Sequence, residues 1–196
     1  MHRLYQREGA GRPLRVRWAL EEAGAPYEFV VMTKDEGRGE EHARRHPLGR
    51  VPVLETDGGS LFESAALCLQ VADQHPEAEL IPAPGTHERG EVYQWVLFAM
   101  TEFEPALIRA YAARRGDDAV AAGKAGARLE RVGKIVADHL DGAAYVVGGR
   151  FSIADVVVGG VLVNAREYDL FPDDPRLRAY LESLDARPAK QRAYAT

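Results

Sequence analysis

The residues most capable of chemistry in this sequence are gathered in one stretch, from Gly49 to Ser64. Two short apolar runs flank Asp57-Gly58-Gly59, which is typical of a β-hairpin because glycine reaches positive φ at no steric cost. Pro52 precedes the first run, where its missing N–H is tolerable only at a sheet edge or in a special turn. Glu63 and Ser64 then open an apolar-periodic segment and can serve the free N–H groups of a helix start. The stretch therefore predicts a small pocket rich in backbone donors and acceptors.

The composition restricts the class of protein. The 196 residues, 46% hydrophobic and 28% charged, allow one large domain or two small ones. A net charge of −5 argues against a general binder of nucleic acid or anionic membrane. Cys68 is the one cysteine, which excludes an internal disulfide, fits a reducing compartment and is expected to be buried in the core. No run approaches ~18 apolar residues and no signal-peptide core is visible, so we expect a cytoplasmic protein without a membrane span.

The elements around the pocket are predicted to follow a β-α-β, then β-β-α order. Residues 2–6 are expected to form a strand, and Pro13 suits the first position of a helix that ends at Gly24. Residues 27–31 are predicted to be a strand by their aromatic and β-branched content, which completes a β-α-β unit with parallel strands. The hairpin and a helix ending near Asp73 complete this half of the chain.

The rest of the chain is predicted to be helical. Residues 76–87 carry three prolines and a glycine and are the best linker candidate. Apolar residues then follow helical spacing from Val92 to Leu107, with a kink expected at Pro105. A second helix is predicted from residue 119 to residue 140.

A second strong local signal begins the next helix. Ser152 and Asp155 have capping-box spacing. In a capping box, the side chain of the first residue accepts the backbone N–H of the second, and the side chain of the second accepts the backbone N–H of the first. We expect a structural rather than a catalytic role for this pair. The last two helices are predicted at residues 175–184 and 188–194.

Taken together, these motifs resemble those of the cytosolic glutathione S-transferases. The pattern G-x-V-P-x-L, a hairpin and then E-S, found between Gly49 and Ser64, is similar to the family's N-terminal domain, and [FY]-[ST]-x-A-D at residues 151–155 to its helical domain. The resemblance implies the glutathione transferase fold: an α/β thioredoxin-like domain at residues 1–75, a linker at 76–87, and an all-α domain at 88–196 that contributes the electrophile site. It also implies a homodimer that uses glutathione as cosubstrate and needs no metal.

The resemblance assigns roles to individual residues of the pocket. It implies a cis bond between Val51 and Pro52, with the backbone of Val51 pairing with the cysteinyl part of glutathione like an added strand. Glu63 and Ser64 would hold the γ-glutamyl end, with its carboxylate at Ser64 and the helix N-terminus. Arg50 would meet the glycine carboxylate.

Other residues near the pocket have alternative roles. His42 or Arg38 could replace Arg50 as the partner of the glycine carboxylate. His46 stands where the family often has asparagine, just before Pro47, and is expected to hydrogen-bond within the loop.

The sequence departs from the family where the thiol should be activated. The family places a Tyr, Ser or Cys at the end of the first strand or the start of the first helix, but here Gln6 occupies the Tyr position, and Ala10 and Gly11 the Ser or Cys position. The remaining catalytic candidates are Tyr5, which is one residue out of register, and the backbone N–H groups of Gly11 and Arg12 with the Arg12 guanidinium.

Two classes of function are compatible with these residues. The first is an enzyme that transfers the glutathione thiolate to a small hydrophobic electrophile, as in detoxification. The second is a non-catalytic glutathione-transferase-like protein with a binding or regulatory role. A transferase that uses another low-molecular-weight thiol is a further alternative. Nucleic acid and membrane are not expected as partners.

Overall fold

Four strands form one mixed sheet in the computed structural model, which describes residues 2–195. β1 (His2–Arg7) pairs in parallel with β2 (Tyr27–Met32) and antiparallel with β3 (Val53–Thr56), which pairs antiparallel with β4 (Gly59–Phe62). The spatial order is β2-β1-β3-β4. The predicted parallel pair and hairpin are therefore confirmed, and the weakly apolar first strand lies in the interior of the sheet.

The helices of this half begin and end where local chemistry dictates. They are α1 (Arg12–Glu22), α2 (Glu40–Arg45) and α3 (Ser64–Gln74). Pro13 lies in the first turn of α1, where a missing N–H leaves no bond unmade. Gly24 follows the end of α1 with φ of 62°, a left-handed conformation that glycine adopts without a Cβ clash.

The two faces of the sheet bury different side chains, since successive residues of a strand point to opposite sides. Leu4 and Leu54 are direct partners across β1 and β3, and both are fully buried. Tyr5, on the other face, packs with Met32 and Val53. This alternation determines which side chains of β1 can reach a site on either face.

The second half of the chain is helical. Its helices are α4 (His87–Phe98), α5 (Glu104–Arg114), α6 (Ala119–His139), α7 (Ile153–Glu167) and α8 (Pro175–Asp185). Within residues 2–195, no helix combines the length and the apolar character needed to cross a membrane.

The expected break at Pro105 takes the form of a π-helical turn between α4 and α5. The turn covers Ala99–Phe103, and Pro105 lies in the first turn of α5. Proline has no N–H for the carbonyl four residues earlier, and a π-turn shifts the hydrogen-bond register so that the ring is accommodated.

α7 is the buried centre of the helical half, and Asp155 anchors its start. The carboxylate of Asp155 is fully buried and accepts hydrogen bonds from the backbone of Val146 (2.8 Å) and of Ser152 (2.8 Å) and from the hydroxyl of Tyr180 (2.8 Å). The Ser152 hydroxyl accepts from the backbone in return, so the pair forms a capping box. Burial raises the pKa of Asp155, while each of these donors favours the carboxylate.

The chain divides into two compact units, one up to Ile81 together with the residues from Pro188 onward, the other Pro82–Arg187. The division after Ile81 falls within the predicted linker. The last helix, α9 (Pro188–Tyr194), differs from the predicted assignment to the helical domain, because it packs on α1 in the first unit.

Contacts between α9 and α1 are both apolar and polar. The rings of Trp18 and Tyr194 meet edge to face at 6.4 Å, and the Lys190 ammonium lies 5.0 Å from the centre of the Trp18 ring. Arg192 donates to Glu21 at 2.7 Å. A helix of seven residues has little stability alone, so this docking is what holds α9 in place.

Candidate functional site

Strand directions bring two helix N-termini to the same end of the sheet. β3 is antiparallel to both β1 and β4, so β1 and β4 run the same way. α1 follows β1 and α3 follows β4, so both helices begin at the end where these strands finish. β3 starts at that end too, which adds the Val51–Pro52 segment just before it. The N-terminus of a helix attracts anions, because its first N–H groups have no acceptor within the helix.

The start of α3 is open to a ligand. Glu63 is its N-cap residue and has φ of 72°, unusual for a residue other than glycine, and no side chain in the described part of the chain caps the helix. Ser64 is 4% exposed, yet its hydroxyl hydrogen-bonds to no residue among 2–195. The Glu63 carboxylate is exposed and equally without a hydrogen bond in that range. A carboxylate and a hydroxyl left unpaired at an uncapped helix start are suited to bind a ligand that carries both charges.

The backbone of Val51 offers a second set of unpaired groups. The Val51–Pro52 bond is cis, and Pro52 is buried. Neither the N–H nor the C=O of Val51 hydrogen-bonds within the described part of the chain. An extended peptide can pair with such a free edge as an added strand.

Two histidines hold the segment that leads to Val51. His42 is fully buried, and its Nε2 donates to the Arg50 carbonyl at 2.9 Å. The expectation that His42 could meet a ligand carboxylate is therefore wrong, since its side chain faces the protein interior. The Arg50 side chain is exposed and forms no hydrogen bond or ion pair with residues 2–195, so it remains available for an anion.

His46 closes the same loop, as expected from the sequence. Its Nδ1 accepts the N–H of Leu48 at 3.0 Å, and its ring lies 4.7 Å from the ring of Phe62. Burial lowers the pKa of His46, an effect that the nearby Glu63 carboxylate partly opposes.

Among the residues that the structure describes, the start of α1 supplies backbone donors and no hydroxyl or thiol side chain. Gly11 is the N-cap residue, no described side chain caps the helix, and the first turn contains no acidic residue. The Gly11 N–H has no hydrogen-bond partner among the described residues, and Arg12 is exposed. Pro13 has no N–H, which removes one of the donors that a helix start usually presents.

Tyr5 is not one of the unpaired polar groups at this end of the sheet. Its hydroxyl donates to Glu55 at 2.9 Å, and its ring lies 4.4 Å from the Arg45 guanidinium of α2. Burial raises the pKa of Tyr5, with the hydrogen bond to Glu55 acting in the same direction. The phenol is thus hydrogen-bonded on the face of the sheet opposite Leu4, so the expectation that Tyr5 could be catalytic is not supported.

Cys68 is also excluded from the chemistry. It is fully buried in α3, and its thiol contacts the Arg15 carbonyl at 3.6 Å. Burial raises the pKa of Cys68 to about 12, so the thiol is neutral near pH 7.

Replacing Tyr5 by phenylalanine is expected to leave the affinity for glutathione, the ligand that the resemblance implies, within about twofold of the wild type, because the hydroxyl serves Glu55. The free energy of unfolding should fall by about 0.5–1.5 kcal/mol, the usual net value of one hydrogen bond. Calorimetric titration with glutathione and urea unfolding measure the two quantities. A loss of affinity beyond tenfold at nearly unchanged stability would return Tyr5 to the site.

The fold now defines a class: a thioredoxin-like unit followed by a helical unit, the architecture of glutathione transferases. Residues 2–73 match the profile of the glutathione S-transferase N-terminal domain, and residues 105–183 that of the C-terminal domain. Glutathione S-transferase 4 of Zea mays is 31% identical over 188 residues, which cover 89% of this chain and 83% of the relative. The chain belongs to the glutathione S-transferase family.

Solved structures agree with this assignment. A glutathione transferase from Methylococcus capsulatus str. Bath is 31% identical with a TM-score of 0.87, over 98% of this chain and 97% of that one. A sphingomonad glutathione S-transferase, solved in complex with glutathione, is 30% identical with a TM-score of 0.84, over 97% and 96% of the two chains.

Proposed function

We propose that this protein binds glutathione at the end of its sheet where α1 and α3 begin and transfers the thiolate to a small hydrophobic electrophile. One observation carries the proposal: polar groups without partners in the described chain lie at the uncapped start of α3 and in the segment before β3, at the same end of the sheet. They are the Arg50 guanidinium, the Val51 backbone, the Glu63 carboxylate and the Ser64 hydroxyl. Their number and charge complement a tripeptide with two carboxylates, one ammonium group and a central amide pair.

Each group has one partner on the tripeptide. The γ-glutamyl carboxylate binds the Ser64 hydroxyl and the first N–H groups of α3, where the helix dipole favours an anion. Glu63 balances the γ-glutamyl ammonium group. The cysteinyl N–H and C=O pair with Val51 as an added strand would, and the glycine carboxylate takes Arg50. This arrangement directs the cysteinyl sulfur toward the start of α1.

Activation of the thiol rests on backbone donors. A free thiol has a pKa of about 8.5, and lowering it by ~2 units requires roughly 2.7 kcal/mol in favour of the thiolate. A helix N-terminus contributes about 0.3–1 kcal/mol, and a hydrogen bond from the Gly11 N–H to the charged sulfur about 1.5–3 kcal/mol. Together these contributions approach the required value. The thiolate then supplies the electron pair of the new C–S bond, and the leaving group departs with the electrons of the bond that breaks.

A binding or regulatory protein without catalysis is the second candidate. The observation in its favour is that, within residues 2–195, no side-chain hydroxyl or thiol is available at the start of α1: Ala10 and Gly11 have none, the Tyr5 hydroxyl serves Glu55, and Cys68 is buried. The same absence is compatible with a transferase specific for another low-molecular-weight thiol.

We also propose a homodimer in the cytoplasm. The first unit exposes Leu48 (67%) and Phe62 (40%), and the second exposes Leu97 (60%). Apolar side chains exposed to this extent would be covered by a second copy of the chain. A free thiol at Cys68 fits a reducing compartment.

The test combines binding with turnover. Calorimetric titration with glutathione should give one site per chain, and a conjugation assay with 1-chloro-2,4-dinitrobenzene and a panel of other electrophiles should give a rate above that of free glutathione. Binding without turnover across the panel would favour the non-catalytic candidate. Absence of glutathione binding, with binding of a different thiol, would identify another cosubstrate.

A further inference from the structure

Two histidine side chains hydrogen-bond to the turn that carries Arg50 and Val51. The Nδ1 of His46 accepts the Leu48 N–H at 3.0 Å, and the His46 carbonyl accepts a backbone N–H from Gly49 at 2.9 Å. On the other side, His42 Nε2 donates to the Arg50 carbonyl at 2.9 Å. The position of Arg50 therefore depends on hydrogen bonds that titratable side chains make.

The two rings respond differently to a proton. An imidazolium donates from both nitrogens and accepts at neither, so the contact from Leu48 to His46 exists only while the His46 ring is neutral and carries its proton on Nε2. The contact from His42 to the Arg50 carbonyl uses an N–H donor, which both protonation states possess. Protonation therefore breaks the bond at His46 and leaves that at His42 in place.

We propose that neutral His46 is a positioning residue for the thiol site: it holds the turn that carries Arg50 and Val51, and its protonation releases the turn and weakens binding of the γ-glutamyl tripeptide. The inference rests on the proposed function. His46 does not touch the tripeptide in this scheme and acts through the backbone of Leu48.

The surroundings of His46 set the pH range. The ring is 3% exposed and packs on Phe62 of β4, and burial lowers the pKa of His46 below its ordinary value of 6.5. Charged and titratable groups face it from three sides: Glu63 before α3 favours the proton, while His42 of α2 and Arg50 of the loop oppose it. Because the native pKa is lowered, the neutral ring and its bond to the Leu48 N–H are complete above about pH 6.5 and are lost as the pH falls through the native pKa.

Two variants separate the hydrogen bond from the packing of the ring. In His46→Asn, the side-chain Oδ1 can accept the N–H two residues ahead, as in an Asx turn, and it does not titrate. In His46→Phe, the ring still packs on Phe62 but offers no acceptor. The asparagine variant thus keeps the contact and removes its pH dependence, and the phenylalanine variant removes the contact at every pH.

The probe is S-hexylglutathione, whose alkylated sulfur cannot titrate. Between about pH 5 and pH 6.5, its carboxylates and amino group keep their charge, so changes in affinity arise in the protein. Calorimetric titration of the wild type should show constant affinity near the upper limit and a fall below it that approaches about tenfold in total, the loss expected when the acceptor is missing. His46→Asn should bind within about threefold of the wild type at the upper limit and show a flat profile, and His46→Phe should bind about tenfold more weakly and also show a flat profile.

A measurement without ligand accompanies the titration. The amide proton of Leu48 should shift with the titration of the His46 ring in the wild-type NMR spectrum and should not titrate in His46→Asn. Far-UV circular dichroism at each pH checks that the chain is folded.

The outcomes are distinguishable. A pH profile in His46→Asn that matches the wild type, or flat wild-type binding while Leu48 titrates, would overturn the role of His46 and leave the thiol site in place. If S-hexylglutathione does not bind at about pH 6.5, the proposed thiol site is wrong, and the role of His46 in binding is wrong with it.

Discussion

Replacing Ser64 with alanine should lower the affinity for glutathione by about 10–100-fold, which corresponds to the roughly 1.5–3 kcal/mol of a hydrogen bond to a charged group. Ser64 is 4% exposed at the open start of α3 and its hydroxyl has no partner among residues 2–195, so the proposed partner is the γ-glutamyl carboxylate. The N–H groups of the first turn remain in the variant, and some binding should persist. Isothermal titration calorimetry with glutathione measures the change.

Ser60→Ala is the matched control for this experiment. Ser60 lies in β4 four residues earlier, is half-buried and makes no hydrogen bond through its side chain within the described chain. It should bind glutathione as the wild type does. Wild-type affinity in Ser64→Ala would contradict the assignment of the γ-glutamyl carboxylate to α3, whatever the control shows.

The largest effect on stability is expected at Asp155. Alanine at this position leaves the N–H groups of Val146 and Ser152 and the Tyr180 hydroxyl buried without their acceptor. Each unsatisfied donor costs about 1–3 kcal/mol, so with partial relaxation we expect a loss of roughly 3–6 kcal/mol in the free energy of unfolding. For a chain of this length, the loss corresponds to a Tm lower by about 6–24 °C. Differential scanning calorimetry measures it.

The controls for Asp155 separate charge from hydrogen bonding. Asp141→Ala removes an exposed carboxylate without a hydrogen-bonding role in the described chain and should shift Tm by about 2 °C or less. Asp155→Asn keeps one acceptor oxygen and should fall between the alanine variant and the wild type. A Tm in Asp155→Ala equal to that of Asp141→Ala would show that the buried hydrogen bonds contribute little to stability.

Local signals made much of the fold predictable. The hairpin follows from Asp57-Gly58-Gly59, where Gly59 has φ of 113°, a value that a residue with a Cβ rarely adopts. Pro13 marks the start of α1, and the capping-box spacing of Ser152 and Asp155 marks the start of α7. In each case the residues that determine the backbone lie within a few positions of one another.

Contacts between distant residues were not predictable in the same way. Tyr5 and Glu55 are 50 positions apart, and only the pairing of β1 with β3 brings them together. The buried His42 side chain likewise hydrogen-bonds to the Arg50 carbonyl, and the turn after α2 sets the direction of that carbonyl. α9 has no local feature that indicates α1 as its partner. For the site, the type of residue was legible from the sequence, whereas the partner of each side chain required the tertiary structure.

The position of α9 affects how the chain matures on the ribosome. α1 emerges early in translation and α9 late, with the whole helical half between them. Until α9 arrives, the side of Trp18 that it covers has no partner from that helix, so the first unit reaches its final packing only after the second half has been synthesised. The part of the protein translated first is therefore among the last to be completed.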